Sequence, residues 1–165
     1  MEDLLNCSQE EILLAPDQCE AFVQCLKKLA KNEDVEKVMA MVNKVQPLTQ
    51  GYDISKMSPL FLPNGEVKDW MMTSVQNGKE NGLAVWGGLV RILGRSLHLP
   101  GDGTVLLNSL LHVVEKAFKH NSNAIRIAAY KAWMVLMDNF ALNHTVLVTR
   151  RRIKLIIRPL LVSPI

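Results

Sequence analysis

The side chains of this sequence that could do chemistry are mostly basic, and they concentrate near its end. Arg150, Arg151, Arg152, Lys154 and Arg158 fall within one short segment. If the segment is helical, Arg150, Lys154 and Arg158 share one face at i, i+4 and i+8. The opposite, apolar floor of that helix would consist of Ile153, Ile156, Ile157 and Leu160. The pattern predicts a basic ridge supported by an apolar surface.

A basic ridge of this kind predicts phosphate binding, because guanidinium groups contact phosphate through paired hydrogen bonds. We expect Lys116, Lys119 and Arg126, from neighbouring helices, to add to the site. No aromatic residue is interleaved with the arginines, which argues against recognition of single strands by stacking. The alternative is structural: the arginines only cover an apolar edge with their stems and keep their charges in water.

The distribution of charge supports an anionic partner for the second half of the chain. Residues 1–82 hold 8 basic and 13 acidic side chains, a net charge of −5, whereas residues 83–165 hold 11 and 3, a net charge of +8. Such asymmetry is typical of proteins that bind nucleic acid or phosphorylated partners. Two solvated faces of opposite sign are the alternative interpretation.

The sequence offers no pattern for catalysis, a metal ion or a cofactor. No nucleophile–base pair, paired carboxylates or phosphate-binding glycine loop is apparent, and Gly101-Asp102-Gly103 is typical of a plain turn. Metal-binding spacing is also absent from the four histidines, which are His98, His112, His120 and His144. The three cysteines, Cys7, Cys19 and Cys25, favour reduced thiols over a disulfide. We therefore expect a protein that is not an enzyme and has no cofactor, metal or small-molecule substrate.

Targeting signals are not evident either. The richest apolar run, Ala132 to Met137, is far shorter than the roughly 18 residues that a membrane span needs. The start of the chain lacks the basic region of a secretory signal. We expect an intracellular protein with no membrane partner.

The elements that must position the basic residues are predicted to be helices throughout. Pro16 suits a first helical turn, Asn32 could cap the next helix, and a helical hairpin is predicted over residues 16–45. An irregular, Pro- and Gly-rich loop follows over residues 46–65. Helical spacing then resumes, and we predict HEAT-like repeats over residues 66–160. The whole of 1–165 is interpreted as a single helical-repeat unit.

Within the repeats, several helix boundaries can be predicted. Thr104 is expected to cap a half-polar helix, and a helix that is apolar almost all round is expected over residues 123–138. The last helix is predicted from about Thr149 to Arg158, ended by Pro159. Adjacent glycines at Gly87 and Gly88 indicate close approach by another helix.

A repeat is suggested by Trp86 and Trp133, which are 47 residues apart. Each begins a similar short sequence, Trp-x-x-Leu followed by Val or Met. The spacing falls in the range of HEAT and armadillo units. We predict an all-α, HEAT/armadillo-like solenoid with a core that includes Trp86, Trp133, Leu136 and Phe140. A closed helical bundle is the alternative fold. The apolar C-terminal residues predict a fragment of a longer array, since end repeats present polar faces.

Four phrases carry a resemblance to a known family. They are LVRILGRSLH (89–98), LLNSLLHVVEKAFK (106–119), IRIAAYKAWMVLMDNFALN (125–143) and RRIKLIIRPL (151–160). Together they resemble the N-terminal HEAT-repeat region of the telomere-associated Rap-interacting factor (Rif-one) family. The resemblance covers a little under half of the chain.

The resemblance implies a non-catalytic nuclear scaffold of chromosomes and telomeres. It implies roles in replication-timing control, double-strand-break repair and telomere maintenance, with DNA and phosphorylated chromatin proteins as partners. Type-one protein phosphatase would be recruited elsewhere in a full-length protein, because its short docking motifs do not occur in this chain. The alternatives are a HEAT scaffold of transport-receptor or phosphatase-regulatory type that binds only proteins, and a truncated chain without independent function.

Overall fold

The computed structural model describes residues 16–43 and 65–162, and within these ranges every regular element is a helix. In chain order the elements are α1 (Pro16–Ala30), α2 (Val35–Val42), α3 (Glu66–Gln76), α4 (Asn81–Leu93), a 3-10 helix (Gly94–His98), α5 (Asp102–Phe118), α6 (Asn123–Ala141), α7 (His144–Leu147) and α8 (Arg150–Val162). The predicted all-α class is confirmed. The predicted loop 46–65 lies, except for residue 65, outside the described residues.

The helices stack in two layers. Consecutive helices pair as α1 with α2, α3 with α4, and α5 with α6. One layer then runs α1, α3, α5 and α8, and the other runs α2, α4 and α6. This stacking of helix pairs on their neighbours agrees with a fragment of a helical-repeat protein.

Burial follows the apolar periodicity of each helix. On α3, Val67, Met71 and Val75 are buried at i, i+4 and i+8. On α5, Asn108, His112 and Lys119 are exposed, and most of the other side chains face the core. A helix with one wet face and one wide buried face is therefore observed where its pattern predicted one.

Close approach between the layers is visible at Gly88. A Cβ atom at this position would lie 2.5 Å from Cγ1 of Val42, so only glycine lets α2 and α4 come this near. A Cβ at Gly87 would lie 3.8 Å from Val135 Cγ2, which is an ordinary contact. The prediction is confirmed for Gly88, and Gly87 is not sterically required.

Two predicted helix starts are wrong. The backbone at Asn32 is left-handed, with φ of 58°, and α2 begins only at Val35, after Asp34. The side chain of Asn32 instead accepts a hydrogen bond from Trp70 Nε1. Helix α5 begins at Asp102, two residues before Thr104, with Gly101 at its N-cap. In both places the chain uses a left-handed turn residue, which the capping pattern did not reveal.

Two predicted helix ends are also wrong. Helix α6 continues past Asp138 to Ala141, because Asn139 and Phe140 face inward and are held by the packing. Helix α8 continues through Pro159 to Val162. Pro159 is buried, so packing of its ring helps to offset the backbone hydrogen bond that proline cannot make.

The core residues singled out in the sequence, Trp86, Trp133, Leu136 and Phe140, are all buried. Both indole N–H groups find carbonyl acceptors: Trp86 donates to Leu110 O at 2.7 Å, and Trp133 donates to Ile156 O at 3.2 Å. A buried tryptophan normally needs such a partner. Each tryptophan therefore joins its helix to the other layer.

No helix within residues 16–43 and 65–162 is long and apolar enough to cross a membrane.

Candidate anion-binding groove

Helix α8 carries five of the eight predicted basic site residues, and side-chain contacts with α5 and α6 help to attach it. Trp133 of α6 donates to Ile156 O. The guanidinium of Arg152 lies over the ring of Phe140, 4.6 Å from its centroid. Arg158 Nη1 lies 2.9 Å from Glu115 Oε1 of α5. These contacts fix which face of α8 is turned to solvent.

The face turned inward differs from the predicted apolar floor. Arg152, Leu155 and Ile156 are partly buried, and Pro159 is buried. Ile153 and Ile157, expected in the floor, are exposed. The helical wheel therefore identified an amphipathic helix but misplaced its buried face by about one residue.

A groove with a volume of about 420 Å³ lies between α5 and α8. The wall that α5 contributes consists of Thr104, Leu107, Asn108 and Leu111. Helix α8 contributes Arg151, Arg152, Lys154, Leu155 and Arg158. Four basic side chains thus line the groove, and none of its described lining residues is acidic.

The four basic residues of the groove are not equivalent. Arg151 and Lys154 are exposed, and no carboxylate of the described residues pairs with either. Arg158 is partly neutralised by Glu115. Arg152 is partly buried, and its pKa is lowered, first by burial and then by the nearby charge of Arg151. The positive charge available to a ligand therefore comes chiefly from Arg151, Lys154 and Arg152.

Two of the other predicted basic residues, Arg150 and Lys119, lie near the groove, whereas Lys116 lines neither the groove nor the cavity beside it. Arg150 is exposed at the start of α8, one turn before Lys154. Lys116 on α5 and Lys119, directly after α5, are exposed, and Lys119 lines a cavity of about 100 Å³ together with Arg158 and Glu115. This places Lys119 close to the end of the groove.

Arg126, the remaining member of the predicted set, bonds to its own loop. Its Nη1 atom donates to His120 O at 2.7 Å and to Asn121 O at 3.2 Å, and Nη2 donates to Asn123 Oδ1. These acceptors precede or begin α6. Through these hydrogen bonds Arg126 stabilises the loop that connects α5 and α6. The structure does not bring Arg126 into the groove.

A polar cluster that the sequence analysis missed lies behind α8. Asn139 is buried and donates through Nδ2 to Gly94 O at 2.8 Å and to Val90 O at 3.3 Å. Its Oδ1 lies 2.9 Å from Nε2 of His98. Since the amide nitrogen is already a donor, Oδ1 must accept, and His98 is protonated on Nε2. Asn139 thus closes the C-terminal end of α4.

His98 is partly buried beside this cluster and beside the arginines. Its Nδ1 atom is buried without a hydrogen-bond partner among the described residues. Burial lowers the pKa of His98, and the charge of Arg152 adds to this effect. The signal for the cluster in the sequence was a polar residue, Asn139, within an otherwise apolar helix.

Metal and thiol chemistry find no support in the described part of the chain. No group of three or more His, Cys, Asp or Glu side chains there could hold a metal ion. Cys25 is a buried free thiol with its pKa raised, chiefly by burial. Cys7 lies outside the described residues.

Residues 66–163 match the family model described as Rap1-interacting factor 1 N terminal. The chain is 41% identical over 78 residues to telomere-associated protein RIF1 of Homo sapiens. It is 40% identical over 78 residues to the proteins of the same name of Gallus gallus and Mus musculus. The matched segment is 47% of this chain and 3% of each relative. No solved structure matches.

Proposed function

The chain belongs to the Rap1-interacting factor 1 N-terminal family, and on that premise we propose that it is a non-catalytic helical scaffold of a telomere-associated protein, which binds phosphate groups in the groove between α5 and α8. The phosphates belong to DNA or to phosphorylated chromatin proteins. The scaffold works in the nucleus, on chromosomes and telomeres, in replication-timing control, double-strand-break repair and telomere maintenance. The name of the three relatives, telomere-associated protein RIF1, supports the telomeric assignment. Phosphatase recruitment is assigned to other parts of a full-length protein.

The observation that carries the proposal is the composition of the groove. Arg151, Arg152, Lys154 and Arg158 line it, and no acidic residue does so among those described. Arg158 is paired with Glu115, but the three remaining like charges repel one another, so their convergence is unfavourable unless an anion joins them. Guanidinium groups bind phosphate through two parallel hydrogen bonds.

Arg152 adds a second argument. Partly buried charges are usually paired, because desolvation of an ion is costly. No carboxylate of the described residues lies within 4.0 Å of the Arg152 guanidinium, and Phe140 provides its charge-stabilising contact. Burial, and after it the charge of Arg151, lowers the pKa of Arg152, and a phosphate in the adjoining groove would supply the missing counter-charge.

Titration with a fluorescent DNA duplex tests this function. The double substitution Arg151→Glu and Lys154→Glu reverses two exposed charges of the groove and should weaken binding at least tenfold. Lys31→Glu and Lys37→Glu make the same charge change at exposed positions of the first hairpin and should weaken binding less than threefold. Binding should also fall steeply with salt, since each phosphate contact releases counterions.

A competition step identifies the kind of phosphate carrier. A phosphoserine peptide that displaces the duplex, while its unphosphorylated form does not, supports phosphoprotein binding at the same groove. Duplex binding that such peptides leave unchanged supports DNA. Equal affinities for the groove and control variants, or no binding of either probe, would refute the phosphate site and favour a scaffold that binds only proteins.

A further inference from the structure

Thr149 lies directly before α8, and three basic residues follow it. No other serine or threonine of the sequence is followed by three basic residues, which here are Arg150, Arg151 and Arg152. The side chain of Thr149 is exposed, and so are those of Arg150 and Arg151. A hydroxyl group beside a cluster of arginines is an arrangement in which phosphorylation creates new charge-assisted hydrogen bonds.

The hydroxyl group of Thr149 already caps α8. Its Oγ1 atom donates a hydrogen bond to Val146 O at 3.0 Å and accepts a longer one from the backbone N–H of Arg152 at 3.4 Å. The backbone N–H groups of Arg150 and Arg151 have no acceptor among the described residues, as is usual in the first turn of a helix. Oxygen atoms of higher charge on Thr149 would therefore meet donors that are already in place.

Two guanidinium groups lie within reach of a phosphate on Thr149. Side chains of a helix lean toward its N-terminus, so those of Arg151 and Arg152 lean back toward the residue that precedes α8. Both arginines line the groove between α5 and α8. No carboxylate of the described residues lies within 4.0 Å of either guanidinium group. A phosphate on Thr149 would therefore supply the groove with an anion from the chain itself.

The repeat indicates that this position stays open when helices stack beside it. The 47-residue spacing of Trp86 and Trp133 matches Thr149 to a residue at the start of α5. That residue is Asp102, which is exposed although α3 and α8 both pack against α5 in the same layer. A negative charge at the start of this helix is thus compatible with the repeat, and a further helix beside α8 would not by itself cover Thr149.

The residues before α8 make Thr149 accessible to an enzyme. Helix α7 has four residues, none of them buried, and Val148, which follows it, is 57% exposed. Segments with few buried contacts open locally at a low cost in free energy. Local opening of the first turn of α8 would therefore present the Thr149 hydroxyl group as an acceptor.

We propose that Thr149 is a phosphorylation site, and that its phosphate occupies the groove at Arg151 and Arg152 and blocks the binding of other phosphates there. The second part rests on the proposed function of the groove. The modifying enzyme is a protein kinase that selects basic residues directly after its acceptor. It transfers the γ-phosphoryl group of ATP: a bond forms between Oγ1 and the γ-phosphorus, the bond from that phosphorus to the β–γ bridging oxygen breaks, ADP leaves, and the hydroxyl proton passes to the catalytic base of the kinase.

Phosphorylation in vitro, mapped by mass spectrometry, tests the site itself. The chain is incubated with ATP and a kinase of the stated selectivity, and Thr149→Ala should remove most of the incorporated phosphate. Thr145→Ala is the matched control and should leave incorporation unchanged. Thr145 is an exposed, hydrogen-bonded threonine of the same connection, but three apolar residues follow it. Incorporation that Thr149→Ala leaves unchanged would overturn the proposal.

Chains that carry phosphothreonine at one position, introduced during translation, test the effect on the groove. Phosphate at position 149 should weaken binding of the fluorescent DNA duplex about tenfold, because it offsets the charge of the arginines that contact the duplex. Phosphate at position 145 adds the same charge to the same connection and should weaken binding less than about threefold, because screening by salt limits its effect. Equal affinities of the two phosphorylated chains would overturn the proposal.

Phosphorus NMR reports the contact with the arginines without any DNA. The second pKa of the phosphate at position 149 should lie about half a unit or more below that at position 145, because nearby guanidinium groups favour the dianion. Arg151→Gln should reduce this difference. The same pKa at both positions would overturn the proposal. If the unphosphorylated chain binds no DNA, the proposed function of the groove is refuted, and this titration then decides whether the phosphate occupies the groove.

Discussion

The indole N–H of Trp133 donates a hydrogen bond to the backbone carbonyl oxygen of Ile156, with the two atoms 3.2 Å apart. Trp86 makes the same kind of bond to Leu110 at 2.7 Å. The partners are separated by 23 and 24 residues respectively, and each bond joins a helix of one layer to the next helix of the other. The 47-residue spacing of the tryptophans thus corresponds to a repeated contact.

Replacing Trp133 by phenylalanine tests how much this hydrogen bond contributes to the attachment of α8. The change keeps an aromatic ring but removes the hydrogen bond from the indole to the Ile156 carbonyl, near the turn in which Pro159 provides no N–H for the carbonyl of Leu155. We expect the free energy of unfolding in urea to fall by about 1–2 kcal/mol. Hydrogen exchange should accelerate in α8 and stay unchanged in α3.

The matched control for this substitution is Trp70→Phe. The indole of Trp70 also donates a hydrogen bond, to Asn32 Oδ1, but the contact is exposed to water. Water can replace the lost acceptor there, so the expected cost is below about 1 kcal/mol. Equal costs for the two variants would show that the Trp133 bond has no special part in attaching α8.

The adjacent glycines of α4 give a second prediction, because their surroundings differ. In Gly88→Ala the new methyl group would meet Val42 Cγ1 at 2.5 Å, and we expect a loss of about 1–3 kcal/mol in unfolding free energy. In Gly87→Ala the nearest atom is 3.8 Å away, and the better helix propensity of alanine should stabilise the protein by about 0.5–1 kcal/mol.

Adding Val42→Ala to Gly88→Ala supplies the mechanistic control. If the clash causes the loss, Val42→Ala should lower the free energy of unfolding less in the Gly88→Ala background than in the natural chain, because it also removes the clashing methyl groups. Strictly additive effects, measured in the same urea titrations, would contradict the proposed close contact of α2 with α4.

The sequence predicted what depends on local periodicity. The apolar row of α3, the half-polar character of α5 and the close approach at Gly88 all follow from residue types at helical spacing. These features need no knowledge of distant neighbours. For the same reason the sequence could identify α8 as basic and amphipathic.

What the sequence could not predict depends on tertiary partners. Pro159 continues a helix because its ring is buried. Asn139 extends α6 because its amide donates to the carbonyls of Val90 in α4 and Gly94 in the 3-10 helix. Among the predicted site residues, Arg158 forms an ion pair with Glu115, and Arg126 donates hydrogen bonds to the loop before α6. Each of these pairings joins residues on different elements or across a turn, which a list of basic residues does not reveal.

His98 gives a prediction for the dependence of stability on pH. Its pKa in the folded protein is lowered, chiefly by burial, so the unfolded chain binds the proton more readily. The folded state should therefore lose stability as pH falls through the pKa of an ordinary histidine, about 6.5, toward the lower folded value. Protonation would occur at Nδ1, which is buried without a partner in the described residues and near Arg152.

Urea unfolding at pH 7.5 and pH 5.5 measures this effect when the natural chain is compared with His98→Gln, which does not titrate. The natural chain should lose more free energy of unfolding between the two pH values than the variant does. The comparison cancels contributions from other titrating groups. A loss of the same size in both proteins would show that His98 is as easily protonated folded as unfolded.

Arg126 distinguishes a structural cation from a binding one. Its guanidinium donates to the carbonyl oxygens of His120 and Asn121, so Arg126→Ala should lower the free energy of unfolding by about 1 kcal/mol. DNA affinity, measured well below the unfolding temperature, should change less than twofold. Lys116→Ala, at an exposed position, should leave stability within about 0.5 kcal/mol. If Arg126→Ala instead weakens DNA binding and leaves stability unchanged, Arg126 belongs to the phosphate-binding surface.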